Sequence, residues 1–306
     1  MDGFNTRPFR TTLMLGEMLT LSAALCWAAG ANLYKVGLRS MSPIKLNLVR
    51  SCAAAILLLV FVLVLDKSKY FLLLYTPSAV YLIAASLIGW ALGDTLYLIS
   101  LKHIGVSHAV PLTYSYPLFL VPLSIFVLRE QLTPNIAVGT VLIVLAVWLL
   151  SGQKKLQLEG STKLGFIAGI LTAICWALGV TLFKLIVEVF DPVFAAFFKI
   201  LIVLPFLAAY LKILGHQDSS SVVPPKRSEV IAAILGGLIS VGLGDMIYLV
   251  GLSLTQANTA VPLGSSTPIF SAILAAVFLK ERLTRRTIIS SILVVMGATL
   301  LLSPTR

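Results

Sequence analysis

Long apolar runs, each ended by charge, proline or a glycine cluster, divide this chain into ten segments, running approximately over 13–34, 44–65, 77–101, 107–128, 134–151, 162–187, 191–213, 229–254, 258–279 and 285–303. A hydrocarbon core about 30 Å thick takes about 20 residues of helix at a rise of 1.5 Å each, which is the length these runs offer. None alternates as a membrane strand does, and lipid admits only closed barrels or helices that satisfy their own backbone. The pattern predicts an all-α integral membrane protein with ten transmembrane helices. Short loops join them; Leu214 to Ser228, with Gly215, Pro224 and Pro225, is the one long excursion, and Gly152 to Thr162 joins two halves.

Composition agrees with that environment. Of 306 residues, 58% are hydrophobic and 11% charged, and the mean hydropathy is +1.00. That is too little polar surface to coat a soluble globule. The expected location is the cell membrane, with multiple passes. Two arginines, Arg7 and Arg10, precede the first run as in a signal peptide. A copy of that run in mid-chain argues against cleavage.

The chain is internally duplicated. Cys-Trp-Ala-x-Gly-x-x-Leu-aromatic-Lys spans Cys26 to Lys35 and returns 149 positions later from Cys175 to Lys184. At an offset of 151, Gly93-Asp94 with Tyr97 returns as Gly244-Asp245 with Tyr248, Ala109-Val110-Pro111-Leu112 as Ala260-Val261-Pro262-Leu263, and Pro117 as Pro268. Arg129-Glu130 with Leu132-Thr133 returns as Lys280-Glu281 with Leu283-Thr284. The expected organisation is a first five-helix repeat over 1–151, a linker over 152–162 and a second repeat over 163–306. Five is odd, so the second repeat must enter the membrane from the opposite side. The result is an inverted-topology pair, the plan of secondary transporters that open a central site to one face and then the other.

These residues resemble the EamA-like members of the drug/metabolite transporter superfamily over essentially the whole chain. The resemblance is carried by Trp27 and Trp176 in the first helix of each half, by the helix-kinking Pro111, Pro117, Pro262 and Pro268, and by the Glu-x-Leu-Thr segments at Glu130 and Glu281. It implies a ten-helix functional monomer that exports or exchanges small metabolites such as amino acids. Its central cavity would be lined mainly by the third, fourth, eighth and ninth helices.

Charges inside apolar runs are expensive, at least about 2.5 kcal/mol on insertion scales, and normally face a partner or a wet cavity. Four such residues obey the repeat, Arg50 with Lys199 and Asp94 with Asp245. Counting residues from the helix ends predicts two mirrored acid–base pairs, Arg50 with Asp94 and Lys199 with Asp245, one towards each membrane surface. They are the candidate coupling and gating residues: an aspartate separated from its cation could carry a proton or bind a substrate amine. A permanent structural bridge is the alternative.

Trp90, Asp94 and Tyr97 share a helical face, which Asp245 and Tyr248 partly copy. Thr113, Tyr114, Ser115 and Tyr116 in one half, and Ser265, Ser266 and Thr267 in the other, each lie between two prolines that free backbone carbonyls. The candidate substrate cavity therefore comprises Trp27, Trp90, Tyr97, Tyr114, Tyr116, Trp176, Tyr248, Ser265, Ser266 and Thr267. Asn32 and Thr181 are weaker candidates, and Lys35 and Lys184 are expected to snorkel to headgroups.

Other chemistry is not called for. Cys26, Cys52 and Cys175 sit in apolar runs as small hydrophobes, and His103, His108 and His216 form no ligand cluster. With no phosphate loop and no paired nucleophile and base, the expectation is no enzyme, no metal and no cofactor. The net charge of +11 suits anionic headgroups rather than nucleic acid. About fourteen basic residues fall on the face holding the first loop against about seven on the face holding both termini, which places the termini outside the cytoplasm. The expected partners are a small-molecule substrate and the bilayer. The expected function is secondary-active transport, with an uncoupled exchanger, or a non-transporting structural or receptor subunit, as the alternatives.

Overall fold

A computed structural model describes residues 7–151, 160–214, 224–279 and 284–303. Among them all regular structure is helical. Seven stretches are long and apolar enough to cross a membrane: Met14–Gly37, Pro43–Val64, Ser78–Ile104, His108–Phe126, Thr162–Lys184, Pro192–Ile213 and Arg227–Leu254. Pro134–Leu149 and Ile288–Leu302 are shorter apolar helices.

Local sequence explains where these helices start and break. Helix α1 covers Arg7–Gly37 and α2 covers Pro43–Val64. Ser42 caps α2 by accepting from Lys45 N at 3.4 Å, with Pro43 in the first turn, where a missing N–H costs nothing. Asp191, at the equivalent repeat position, caps α9 (Pro192–Leu214) by accepting from Val193 N at 2.9 Å and Phe194 N at 3.3 Å.

The long helix Ser78–Ile104 is not uniform. It runs as α3 (Ser78–Ala85), a π-helical stretch over Ser86–Leu92 and α4 (Gly93–Ile104). The second repeat copies this as α10 (Arg227–Gly236), a π-helical stretch over Gly237–Gly244 and α11 (Asp245–Leu254). The first π stretch ends two residues before Asp94 and the second directly before Asp245.

The proline-flanked segments break as well. In the first half, α5 (Val106–Thr113) gives way at Tyr114–Tyr116 to α6 (Pro117–Phe126); in the second, α12 (Ala257–Gly264) gives way at Ser265–Ser266 to α13 (Thr267–Leu279). Pro111 and Pro262 sit inside the shorter helices, while Pro117 and Pro268 open the following ones. Pro268 has no N–H to give the carbonyl of Gly264, and the Thr267 hydroxyl occupies that acceptor at 2.8 Å. The remaining helices are α7 (Pro134–Ser151), α8 (Gly160–Lys184) and α14 (Arg285–Leu302).

Packing crosses between the repeats. α1 lies along α10 and α11, α8 lies along α3 and α4, α2 pairs with α9, and α7 pairs with α14. Glycine permits the approach: a Cβ on Gly179 would stand 2.7 Å from the Gly89 Cα, and one on Gly89 would stand 3.1 Å from the Gly179 Cα. These contacts bring both aspartate-bearing helices to the centre.

Candidate functional site

A central cavity of about 70 Å³, several times what one water needs (about 10–15 Å³), lies where these helices meet. Its wall includes Arg50, Asp94 and Asp245 together with Trp27, Trp90, Tyr97, Tyr114, Tyr116, Trp176 and Tyr248.

Two ion pairs anchor it. The Arg50 guanidinium donates from Nη2 to Asp94 Oδ2 at 2.5 Å, and the Lys199 ammonium bonds Asp245 Oδ2. Each aspartate's other oxygen is taken by an indole from the opposite repeat: Trp176 Nε1 donates to Asp94 Oδ1 at 2.9 Å and Trp27 Nε1 to Asp245 Oδ1 at 2.7 Å. Gly93 and Gly244 make room for these indoles, since a Cβ there would stand 3.0 Å from Trp176 Cδ1 and 3.1 Å from Trp27 Cδ1 respectively. Lys199 is fully buried and Arg50 nearly so. Burial at that depth is sustainable because every carboxylate oxygen holds a charge-assisted or indole donor and each pair is neutral.

The cations also rest on aromatic faces. Arg50 Cζ is 4.7 Å from the Tyr34 ring centroid, and Lys199 Nζ is 4.2 Å from that of Trp90. Arg50 Nε donates to Asn47 Oδ1 at 2.9 Å, and Asn47 Nδ2 donates to Thr95 Oγ1 at 3.0 Å. The ring contacts obey the repeat, with Trp27 and Tyr248 centroids 4.9 Å apart and Trp176 and Tyr97 5.3 Å apart. Tyr114 and Tyr116 stand edge-on to Trp176 at 5.4 and 5.9 Å.

Arg50, Asp94 and Asp245 line one cavity, because α1 and α8 each pack on the aspartate-bearing helix of the other repeat. Two expectations need correction. Ser265, Ser266 and Thr267 are fully buried and do not line the cavity; the break they form sits behind Tyr116 and Tyr248, both near the Gly264 backbone. Lys184 does not snorkel. It donates to the carbonyls of Leu252 and Thr255, both at 2.7 Å, because α8 ends beside the C-terminus of α11, whose last carbonyls have no helical partners. Lys35, its equivalent, is exposed.

Lesser candidates lie elsewhere. Asn32 donates to Ser271 on α13 at 3.1 Å, and the Thr181 hydroxyl is spent on the Ala177 carbonyl at 2.8 Å. Glu281 and Lys280 lie outside the described residues, as does most of the 152–162 linker. Among the described residues there is no cluster with metal-ligand character.

Sequence reading missed Tyr34, Asn47, Ser240 and both π stretches. Asn47, one turn before Arg50, was the readable signal. Two further buried acids, Glu17 in α1 and Glu229 in α10, are not part of the cavity wall.

Apolar helices wrapped around a buried, charge-balanced aromatic cavity define a multi-pass membrane protein. The profile of the EamA-like transporter family matches residues 14–152 and again 163–303, and the chain belongs to that family of membrane transporters. A curated protein of Archaeoglobus fulgidus, described as an uncharacterized transporter, is 26% identical over 291 residues, covering 95% of this chain and 99% of that protein. A solved crystal structure is similar at a TM-score of 0.78 and 18% identity, covering 93% of this chain and 95% of the other, which speaks to the fold alone.

Proposed function

We propose that this protein is a secondary transporter of small polar or amphipathic metabolites, amino acids among them, working by alternating access around the aromatic cavity. Ten helices in two inverted repeats would interconvert two near-mirror states as a monomer, with both termini outside the cytoplasm. Export is the direction the family resemblance favours.

One observation carries this reading. Each aspartate is paired with a cation from its own repeat and with a tryptophan from the other. Rocking one repeat against the other therefore strains the Trp–Asp bonds while the neutral pairs can travel intact. A substrate bearing both a donor and an acceptor can replace an indole on the carboxylate and approach Arg50. Proton coupling would run through Asp94 and Asp245 if a step parts either from its cation.

Reconstituted vesicles test this. Counterflow of labelled amino acids, nucleosides or sugar phosphates should appear for some member of the panel, and no flux for any would end the transport reading. Asp94→Asn and Asp245→Asn should abolish gradient-driven accumulation while sparing exchange; unchanged proton-driven uptake in both would remove the coupling. Cysteine-accessibility labelling should find the exposed positions Arg39 and Glu188, just beyond α1 and α8, on opposite faces.

The uncoupled exchanger has an observation in its favour. Both aspartates are already neutralised within their own repeats, so no proton is required for the cavity to be charge-balanced. Counterflow indifferent to a proton gradient would select it.

A further inference from the structure

The α11–α12 turn is clamped at both ends by buried or half-buried charges that the cavity does not use. α11 ends at Leu254 and α12 begins at Ala257, so only Thr255 and Gln256 lie between. On the carbonyl side, Lys184 holds Leu252 O and Thr255 O. On the amide side, the carboxylate of Glu130 accepts from Ala257 N at 2.7 Å and Asn258 N at 2.9 Å, and the Gln131 carbonyl accepts from Asn258 Nδ2 at 3.1 Å.

Glu130 belongs to the first repeat and α12 to the second. The chain aims it through the C-terminal cap of α6: Arg129 takes φ 58°, the left-handed conformation that turns a chain out of a helix, and Glu130 N donates back to Ser124 O at 3.0 Å. The carboxylate sits where it satisfies the first amides of α12 and meets the positive end of its dipole. On the same side of the bundle, Lys67 after α2 pairs with Asp191 before α9 at 2.8 Å, again across the repeats. The equivalent of Lys184 in the other repeat is the exposed Lys35, and the carbonyl corresponding to Leu252 O, that of Leu101, accepts from Gly105 N at 3.1 Å.

We propose that Glu130 on the N-terminus of α12 is a cross-repeat latch that closes one mouth of the cavity, with Lys184 fixing the turn it grips, and that this structure is the state latched at that mouth. The inference rests on the alternating-access reading above. Opening the latched mouth must part the end of α6 from the start of α12. That step leaves two helix amides and a carboxylate in need of water, so it is disfavoured until water can enter.

Cavity accessibility tests this without depending on flux. In a frame with Cys26, Cys52 and Cys175 replaced by alanine, Val180→Cys places a thiol on the cavity wall. An impermeant methanethiosulfonate reagent is applied separately to sealed cells and to inverted vesicles. With the latch intact, the thiol should react more slowly from the latched face than from the opposite one; equal rates from both faces, or no reaction from either, would overturn the proposal. Glu130→Gln should raise the rate from the latched face about tenfold, the scale of losing charge-assisted hydrogen bonds. Ala257→Pro keeps the carboxylate but removes one of its donors at a position where proline suits the helix, and should raise the same rate. An unchanged rate in both variants, each folded by its melting temperature, would also overturn it. Panel-wide absence of counterflow alongside the expected labelling would instead count against the transport reading and leave the latch standing.

Discussion

The Trp27 indole donates to Asp245 Oδ1 at 2.7 Å across 218 positions of chain, and Trp176 serves Asp94 across 82 at 2.9 Å. The most recognisable residue of each repeat is thus spent on the aspartate of the other. A hydrogen bond to a charged group contributes about 1.5–3 kcal/mol. Trp27→Phe and Trp176→Phe keep the ring against Tyr248 and Tyr97 but remove the donor. Each should lower thermal stability, and the two should resemble one another; a melting temperature unchanged in both would show the bonds to be dispensable.

The buried pairs should be non-additive. Arg50→Met or Lys199→Met alone leaves an uncompensated carboxylate in low dielectric and should cost about 3–5 kcal/mol. Adding Asp94→Leu or Asp245→Leu to the matching variant should recover part of the loss while transport stays abolished. Denaturation of the four variants and both doubles in detergent gives the cycle directly. Additive losses would mean the charges do not act as pairs.

Gly179→Leu should be among the most damaging small changes in α8. Its Cβ alone would stand 2.7 Å from backbone at Gly89, an atom that cannot rotate away. Overpacking of this kind costs about 1–3 kcal/mol even for modest additions. Gly179→Ala should show the intermediate loss, measured as a graded fall in melting temperature from glycine to alanine to leucine.

The Lys67–Asp191 pair gives a pH signature outside the spans. Its hydrogen bond to Asp191, together with the charge of that carboxylate, raises the Lys67 ammonium above the ordinary lysine range. A cation whose folded-state pKa is raised stabilises fully below its unfolded value and loses that contribution as pH rises through the folded one. Melting temperature should therefore fall more steeply at alkaline pH in the parent than in Lys67→Met. The pair is partly solvated, so the difference should be small and shrink with added salt. Identical alkaline profiles would remove any role for the bridge.

Much of the site was readable along the chain because the information is local or repeated. Apolar runs of one length place the helices, and the offsets of 149 and 151 pair Arg50 with Lys199 and Asp94 with Asp245. The same reasoning names the aromatic wall, because Trp90, Asp94 and Tyr97 fall on one face of a 3.6-residue helix whatever surrounds it. Even the acid–base partners follow, since a buried charge must be paired with what its own neighbourhood supplies.

What tertiary structure alone decided is which faces meet. Counting residues from helix ends does not say how near the two charge pairs come, whereas crossing at glycine contacts draws both aspartates to one cavity. Serines between prolines look like cavity lining but are buried behind the aromatic wall, and a lysine at a helix end looks like a headgroup ligand but caps a neighbouring helix. The π stretches leave no periodic trace because one extra residue in a turn does not alter an all-apolar pattern. Sequence determines what each segment must bury; the crossing of segments, fixed by backbone approach measured in tenths of an ångström, determines against what.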